Sequence, residues 1–203
     1  MIDIIDYGMG NLGSIFSMFK KIGVESKITS ALAEIQKANK IVLPGVGAFD
    51  TAMKRINESG LRKMLEIRVL NDKIPILGIC LGMQLFTDSS EEGEVQGLGW
   101  IPAKTKRFNN SEKRNLKIPH MGWNTVDKSN ISFITEGLPE DARFYFVHSF
   151  YVKVVKEENS IMKTNYIVDF DSAIQKNNIF GVQFHPEKSH KFGMKMLEKF
   201  ARL

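Results

Sequence analysis

The amino-acid sequence predicts an α/β fold in which a mostly parallel central sheet is flanked by helices. In the first half of the chain, short apolar runs alternate with amphipathic helical patterns. The second half is richer in predicted strands, and there we expect additional antiparallel strands. The 203 residues contain no repeat, low-complexity segment or linker, so we expect one domain spanning residues 1–203.

The first half of the chain carries the strand–helix alternation. Residues 2–7 are an apolar run that predicts a strand, and residues 12–22 place apolar side chains at the spacing of a helix face. A rhythm of this kind is typical of parallel strands covered by helices. The same reasoning predicts the elements that follow, which are strands at 24–28, 40–43 and 74–79 and helices at 49–56, 61–70 and directly after residue 80.

The second half carries most of the predicted strands. In a sheet of this class, binding sites lie beyond the carboxyl ends of the strands. The loops that contain Gly8, Gly47 and Cys80 each follow a predicted strand, so we expect them at one edge of the sheet. The predicted elements of this half are strands at 101–108, 123–126, 144–150, 151–155, 172–175 and 179–184 and an amphipathic helix at 192–200.

The composition is that of an ordinary globular protein, with 43% hydrophobic and 25% charged residues. A single cysteine excludes an internal disulfide and fits a reducing compartment, so we expect a cytoplasmic protein. The first residues carry acids and no basic stretch, which argues against a signal peptide. No apolar stretch reaches the length of a membrane span, and we expect no membrane partner.

The net charge of +5 raises the question of nucleic-acid binding. The densest basic stretch, residues 104–117, is interrupted by polar residues and lacks the interleaved aromatic side chains that stack on bases. We therefore favour a solvated loop over a surface for a charged partner, and we expect no nucleic-acid partner.

The single cysteine lies in the pattern with the most chemical information. Residues 78–82 read G-I-C-L-G, with an apolar run before them and a helical pattern after them. This is the form of a strand–turn–helix elbow, which exposes a nucleophile at the end of a buried strand. The helix N-terminus favours the reactive thiolate of Cys80. The competing interpretation is a small buried core residue, a frequent environment of a lone cysteine.

A nucleophilic cysteine needs a base, and His185 is the best placed of the four histidines. It ends a strand-like run, and Pro186 favours an extended backbone at His185. Side chains alternate along an extended chain, so Glu187 can lie on the same side as His185 and orient its ring. The alternatives are a surface pair or part of a metal site, but no ligand spacing supports zinc and we expect no metal.

The loop at 8–13 reads G-M-G-N-L-G and matches the dinucleotide-binding pattern G-x-G-x-x-G. That function also requires an acidic residue at the end of the next strand, where residues 28–31 read I-T-S-A. We therefore favour a tight strand–helix turn that exposes Asn11, and we expect no cofactor.

Several motifs together resemble one known family. G-I-C-L-G-M-Q at 78–84 and F-H-P-E at 184–187 resemble the class I glutamine amidotransferases. The resemblance is closer still to the glutaminase subunits of imidazole glycerol phosphate synthase within that family, and it extends almost from end to end. The motifs that carry it are D-Y-G-M-G-N-L-G-S at 6–14, P-G-V-G-A-F at 44–49, P-H-M-G-W-N at 119–124 and F-Y-F-V-H-S at 144–149.

The resemblance implies a glutaminase. Cys80 attacks the side-chain amide of glutamine, His185 activates the thiol and protonates the departing ammonia, and Glu187 orients His185. Water then hydrolyses the glutamyl thioester. The oxyanion needs backbone donors, and the resemblance implies the N–H groups of Leu81 and Gly47, the latter in a loop that undergoes a peptide rearrangement.

The resemblance also implies a glutamine pocket. Gln84 lies one helical turn after Cys80, and together with Glu92 it holds the glutamine head group. Ser149 and Phe150 lie near the backbone of the substrate. The alternatives are an exposed helix position for Gln84 and a solvated acidic loop for Glu92.

The partner implied by the resemblance is a (β/α)8-barrel cyclase, to which ammonia passes directly because free ammonia is lost to solvent. The cyclase makes imidazole glycerol phosphate and an aminoimidazole carboxamide ribotide. Trp is a frequent interface anchor, although a buried core position is the alternative for Trp123. The candidate interface residues are Asn11, His120, Met121, Gly122, Trp123, Asn124 and Lys188.

Three other functions are open at this point. A paralogous glutaminase could supply ammonia to a surface-sugar amidating system, and unusual sequences at 99–108 and 188–194 leave this acceptor open. A non-catalytic binding module with the same fold predicts a broken triad. A Cys–His hydrolase or peptidase has no use for the glutamine-pocket and docking motifs together.

Overall fold

The computed structural model describes residues 1–109 and 116–203, so part of the basic stretch at 104–117, including Lys113 and Arg114, lies outside the described residues. The strands are β1 (Ile2–Ile5), β2 (Ser26–Thr29), β3 (Ile41–Gly45), β4 (Ile76–Cys80), β5 (Ser89–Ser90), β6 (Ala103–Arg107), β7 (His120–Thr125), β8 (Asp127–Lys128), β9 (Arg143–His148), β10 (Phe150–Val154), β11 (Ser160–Asn165), β12 (Asp169–Lys176) and β13 (Ile179–Val182). The helices are α1 (Leu12–Lys21), α2 (Leu32–Ile35), α3 (Phe49–Glu58), α4 (Leu61–Glu66), α5 (Leu81–Gln84) and α6 (His190–Ala201).

The central sheet has a parallel part and an antiparallel part. Strands β2, β1, β3, β4 and β13 lie side by side in that order, and each pair is parallel. The sheet continues from β13 through the antiparallel strands β12, β10 and β6. Strands β7 and β9 form a separate antiparallel pair. The predicted fold class, α/β with a mostly parallel central sheet and added antiparallel strands, is therefore confirmed.

The core lies on both faces of the parallel strands. Strands β1, β3, β4 and β13 are buried along their whole length, as expected where helices cover both faces. Successive residues of a strand point to opposite faces of the sheet and so belong to different hydrophobic clusters. Ile4 and Leu77 lie in one cluster, and Ile5 and Ile76 lie in the other. In the described ranges, no helix is both long and apolar enough to cross a membrane.

The structure departs from the sequence-based prediction in several elements, including the short elements α2, β5 and β8, which the sequence does not predict. The helix predicted at 61–70 changes after Glu66 into a π-helical turn, Ile67–Asn71. Strand β7 begins at His120, three residues before the predicted start. Strand β11 was not predicted, because its mixed sequence has no clear alternation and its pairing with the long strand β12 stabilises it.

Candidate active site

The carboxyl ends of three neighbouring parallel strands form the site. Strand β4 ends at Cys80, which lies opposite Gly45 at the end of β3. On the other side, Val182 at the end of β13 lies opposite Ile79. Since His185 follows β13 by three residues, the sheet register brings Cys80 and His185 to the same edge, as the sequence predicts.

Cys80 occupies a sharp turn between β4 and α5. Its φ of 56° and ψ of −111° lie in a region that non-glycine residues rarely adopt, so the backbone is strained there. The flanking glycines allow close approach of the backbone. A Cβ on Gly82 would lie 1.9 Å from the carbonyl oxygen of Leu43, and a Cβ on Gly78 would lie 2.6 Å from the oxygen of Gly82. The elbow therefore forms at the position that the sequence predicts.

His185 and Glu187 form a buried pair. The Nδ1 atom of His185 lies 2.7 Å from Oε1 of Glu187, and the two residues are 3% and 9% exposed. The backbone of His185 is extended, as the proline predicts, but a 3-10 turn over Pro186–Lys188 brings Glu187 beside the ring. The pair is thus closed by a turn rather than by the alternation of an extended chain.

The charge on the His185 ring depends on its two neighbours. Burial lowers the pKa of His185, but the interactions with Cys80 and Glu187 outweigh burial and raise it to about 10. Glu187 accepts a hydrogen bond from Nδ1, which leaves Nε2 for Cys80. Nε2 is buried and has no hydrogen-bond partner within the described part of the chain. An imidazolium between a sulfur and a carboxylate can store a proton taken from the thiol.

Gln183 is a polar contact of Cys80 that was absent from the predicted site. Its Nε2 atom donates to the Cys80 sulfur over 3.7 Å, and its Oε1 atom accepts from Nε2 of Gln84 at 3.0 Å. Gln183 is fully buried. The signal that could have identified it is an amide inside the apolar run that leads to His185.

A cavity of about 350 Å³ opens beside Cys80 and gathers the other predicted site residues. A pocket of this size suits a small molecule. Besides Cys80, its walls include Val46, Gly47, Leu81, Gln84, Glu92, His148, Ser149, Phe150 and His185. The residues that the sequence assigns to the triad, the oxyanion donors and the glutamine pocket, except Glu187 behind His185, therefore share one cavity.

Glu92 is a half-buried wall residue rather than a solvated one. Its Oε2 atom accepts a hydrogen bond of 2.9 Å from the backbone N–H of Phe49, the first residue of α3. Burial raises the pKa of Glu92, the Phe49 N–H opposes that shift, and the nearby Asp50 adds to it. The helix N-terminus thus holds this carboxylate at the cavity wall.

Tyr7 supports the end of β3, directly before the loop that contains Gly47. The Tyr7 hydroxyl donates a hydrogen bond of 2.8 Å to the carbonyl of Pro44. Burial raises the pKa of Tyr7, the charge of Cys80 raises it further, and Arg55 opposes the shift, so the hydroxyl stays a donor. Gly47 has a φ of 109°, which side-chain-bearing residues rarely adopt.

The candidate docking segment, residues 119–124, divides its side chains between two faces. Met121 and Trp123 are 62% and 45% exposed, whereas His120 is 3% exposed. The exposed Trp123 ring stacks on His190 with centroids 5.4 Å apart. Lys188 is exposed as well, and its Nζ atom lies 5.7 Å above the ring of Tyr145.

His120 and His148 form a second buried pair, between the docking segment and the cavity. His148 Nδ1 donates to the Phe150 carbonyl at 2.7 Å, so its Nε2 accepts from His120 Nδ1 at 2.9 Å. His120 Nε2 then accepts from the Asn124 amide at 3.2 Å. Burial lowers the pKa of His120 to about 4. Burial and the neighbouring His120 lower the pKa of His148 to about 3, so both rings are neutral near pH 7.

The remaining predicted features concern metals and the glycine-rich loop. Within residues 1–109 and 116–203, no three His, Cys, Asp or Glu side chains are grouped so that they could hold a metal ion. Arg55 fills the space beside Gly8 and donates to its carbonyl at 2.6 Å. Asn11 is exposed at the start of α1, as expected for a strand–helix turn.

Comparison with known proteins agrees with this geometry. The family described as "Glutamine amidotransferase class-I" matches residues 3–203. "Imidazole glycerol phosphate synthase subunit HisH 2" of Methanococcus maripaludis is 54% identical over 202 residues, covering 100% of this chain and 99% of the relative. Subunit HisH of Bdellovibrio bacteriovorus is 46% identical, and both chains are fully covered. The crystal structure of a glutamine amidotransferase shares the fold, with a TM-score of 0.76, 18% identity and 100% and 99% of the two chains covered. The chain therefore belongs to the class I glutamine amidotransferases and, within them, to the HisH subunits of imidazole glycerol phosphate synthase.

Proposed function

We propose that Cys80, His185 and Glu187 are the triad with which this chain, the glutaminase subunit of imidazole glycerol phosphate synthase, hydrolyses glutamine. The observation that carries the proposal is the 2.7 Å contact between His185 and Glu187 beside a cysteine held in a strained elbow. An enzyme of this kind needs a nucleophile, a base and a group that orients the base.

The protonation of His185 sets the order of the steps. With its pKa raised to about 10, His185 can take up and hold the proton that leaves the thiol when Cys80 attacks. The sulfur attacks the side-chain amide carbon of glutamine, and the imidazolium gives its proton to the departing nitrogen, which leaves as ammonia. His185 then takes a proton from water, whose oxygen attacks the thioester and releases glutamate.

The cavity walls supply the rest of the site. Backbone N–H groups of Gly47 and Leu81 stabilise the oxyanion. The Glu92 carboxylate suits the α-amino group of glutamine, and Ser149 and Phe150 lie along the substrate backbone. Residues 1–203 act as one domain in this proposal, because strands from both halves of the chain supply the site.

The ammonia passes to a (β/α)8-barrel cyclase that docks on the face containing the exposed Met121 and Trp123. A half-exposed Trp stacked on a second ring is suited to anchor a partner. Lys188 and Asn11 are also exposed and are assigned to the same interface. The cyclase completes the synthesis of imidazole glycerol phosphate and an aminoimidazole carboxamide ribotide in histidine biosynthesis.

The replacement Cys80→Ala tests both parts of the proposal. In a complex with the barrel cyclase and its nucleotide substrate, we expect no glutamate formation from glutamine, because the nucleophile is gone. We expect the same complex to form product at the wild-type rate when ammonium is added, since docking does not involve the thiol. Glutamate release and nucleotide product are measured in parallel.

Two outcomes would contradict the proposal. Glutamine turnover by the Cys80→Ala complex would exclude Cys80 as the nucleophile. If the Cys80→Ala complex is folded but has lost the ammonium-dependent reaction, Cys80 has a role in the complex other than glutamine hydrolysis. Deletion of the gene should make the organism require histidine, and growth without histidine in a strain lacking a second copy would point to another acceptor.

A further inference from the structure

The Cys80 sulfur receives a hydrogen bond from a residue outside the triad. Gln183 Nε2 lies 3.7 Å from the sulfur, within reach of an N–H···S bond. Gln183 is 0% exposed, and its backbone N–H is bonded to Ser172 at 2.9 Å, so the side chain starts from a fixed position. A buried amide of this kind needs partners for both its oxygen and its nitrogen.

The orientation of the Gln183 amide is determined by its neighbours. Gln84 Nε2 lies 3.2 Å from the Phe150 carbonyl, which can only accept, so this atom of Gln84 must be the nitrogen. Its second N–H donates to Gln183 at 3.0 Å, which makes that atom of Gln183 the oxygen. The nitrogen of Gln183 therefore faces the sulfur.

The far end of this chain of bonds is fixed as well. The Phe150 carbonyl also accepts the 2.7 Å bond from His148 Nδ1. Both N–H groups of Gln84 are used within the protein, which leaves its oxygen alone for substrate. The Phe150 carbonyl, which accepts hydrogen bonds from His148 and Gln84, thus fixes the Gln84 amide, and the Gln84 amide in turn fixes that of Gln183.

We propose that Gln183 is a positioning residue for Cys80, whose amide N–H holds the sulfur and stabilises its thiolate form. The inference rests on the proposed function, because it assumes that the thiolate is the nucleophile. Cys80 is 8% exposed, so little water reaches the sulfur, and a protein donor takes the place of water. The donor also limits the directions in which the sulfur can move towards a bound amide.

Alkylation of Cys80 by iodoacetamide tests the proposal on the full chain. The sequence contains one cysteine, so the reaction reports on Cys80 alone. Gln183→Met keeps the shape and removes the donor, and we expect about ten-fold slower alkylation at pH 7, because a hydrogen bond to a charged group is lost. Gln183→Glu keeps an acceptor for Gln84 and places a carboxylate beside the sulfur, so we expect the alkylation midpoint to move up by about one pH unit.

The same variants are assayed for glutamine hydrolysis in the complex. For Gln183→Glu we expect kcat to fall about ten-fold with little change in KM, since this variant keeps the acceptor for Gln84 and changes only the group that faces the sulfur. The titratable groups around the sulfur are His185, Tyr7, Glu92 and His148, and none of them is altered by the variants. Gln36→Glu is the matched control, because Gln36 is exposed and its replacement makes the same change in charge.

The outcomes separate the two proposals. Wild-type alkylation rates and midpoints in both Gln183 variants would overturn the role of Gln183 and leave the triad untouched. Full glutaminase activity after Cys80 is alkylated would overturn the proposed function itself. If the variants do not fold, the side-chain amide resonance of Gln183 is compared between wild type and Cys80→Ala, and an unmoved resonance would overturn the positioning role.

Discussion

Two buried side-chain pairs that contain histidine, His185–Glu187 and His120–His148, have opposite electrostatic properties. Burial lowers the pKa of His185, His120 and His148 alike. At His185 the interactions with Cys80 and Glu187 reverse the shift and bring the pKa to about 10. The hydrogen bonds of the His120–His148 pair involve an amide, a carbonyl and the two rings themselves. Burial lowers the pKa of His120 to about 4, and burial together with the neighbouring His120 and His185 lowers that of His148 to about 3.

The difference shows that the neighbours of a buried imidazole decide its charge. An imidazolium with a carboxylate on one side can hold and release a proton during a reaction. Two neutral rings with every ring nitrogen bonded form a fixed chain of hydrogen bonds, which supports the Phe150 carbonyl at the cavity wall. The first arrangement suits catalysis and the second suits structure.

The largest expected effect comes from removing the charge at the first pair. Glu187→Gln keeps an oxygen for the His185 Nδ1–H but removes the carboxylate, so the pKa of His185 should fall from about 10. We expect kcat for glutamine hydrolysis in the complex to drop by about 10³-fold, as for other groups that orient a catalytic histidine.

The matched control for this variant is Glu140→Gln, which removes one carboxylate at an exposed position. It should leave kcat unchanged. A Glu187→Gln complex with wild-type kcat would mean that the charge next to His185 does not matter to the reaction, and the contrast between the two pairs would lose its functional meaning.

A smaller effect is expected at the second pair, and it concerns stability. His148→Phe leaves the His120 Nδ1–H without an acceptor and removes one donor from the Phe150 carbonyl. Buried polar groups without partners are costly, so the free energy of unfolding should fall by about 3 kcal/mol in urea titrations. His148→Gln offers both a donor and an acceptor and should recover part of that loss. A larger loss in His148→Gln than in His148→Phe would show that ring packing, not hydrogen bonding, holds the pair.

The glycine pattern alone predicts the elbow, whereas the triad hypothesis needed the family resemblance as well as the spacing of its residues. A side chain at Gly78 or Gly82 would clash with neighbouring backbone, and His185 follows a strand-like run whose first four residues form β13. The comparisons confirm the family and the glutaminase assignment. The roles of the individual site residues, the span of the domain and the cyclase partner stay predictions.

The contacts across the sheet could not be read from the sequence. Gln183 and Gln84 are 99 positions apart, and only the pairing of β13 with β4 makes them neighbours. His120 was expected at the interface together with the other residues of its segment, but strand alternation turns its ring inward while Met121 points out. Such partners depend on register, which a single sequence without an alignment does not supply.

The smallest expected effect is the dependence of stability on pH, in which the two pairs act in opposite directions. The folded pKa of His185 lies above the ordinary value of 6.5, so its contribution is complete below pH 6.5 and is lost as pH rises towards 10. His120 and His148 have folded pKa values below 6.5, so their contribution is complete above pH 6.5 and is lost as pH falls towards 4 and 3. For these groups the free energy of unfolding is greatest near pH 6.5, and we expect a loss of about 2 kcal/mol between pH 6.5 and 5.5 in urea titrations. In His148→Gln one of the two acid-sensitive rings is gone, so the loss over this interval should be about half as large. An unchanged acid limb in that variant would mean that carboxylates, and not the buried pair, cause the acid sensitivity.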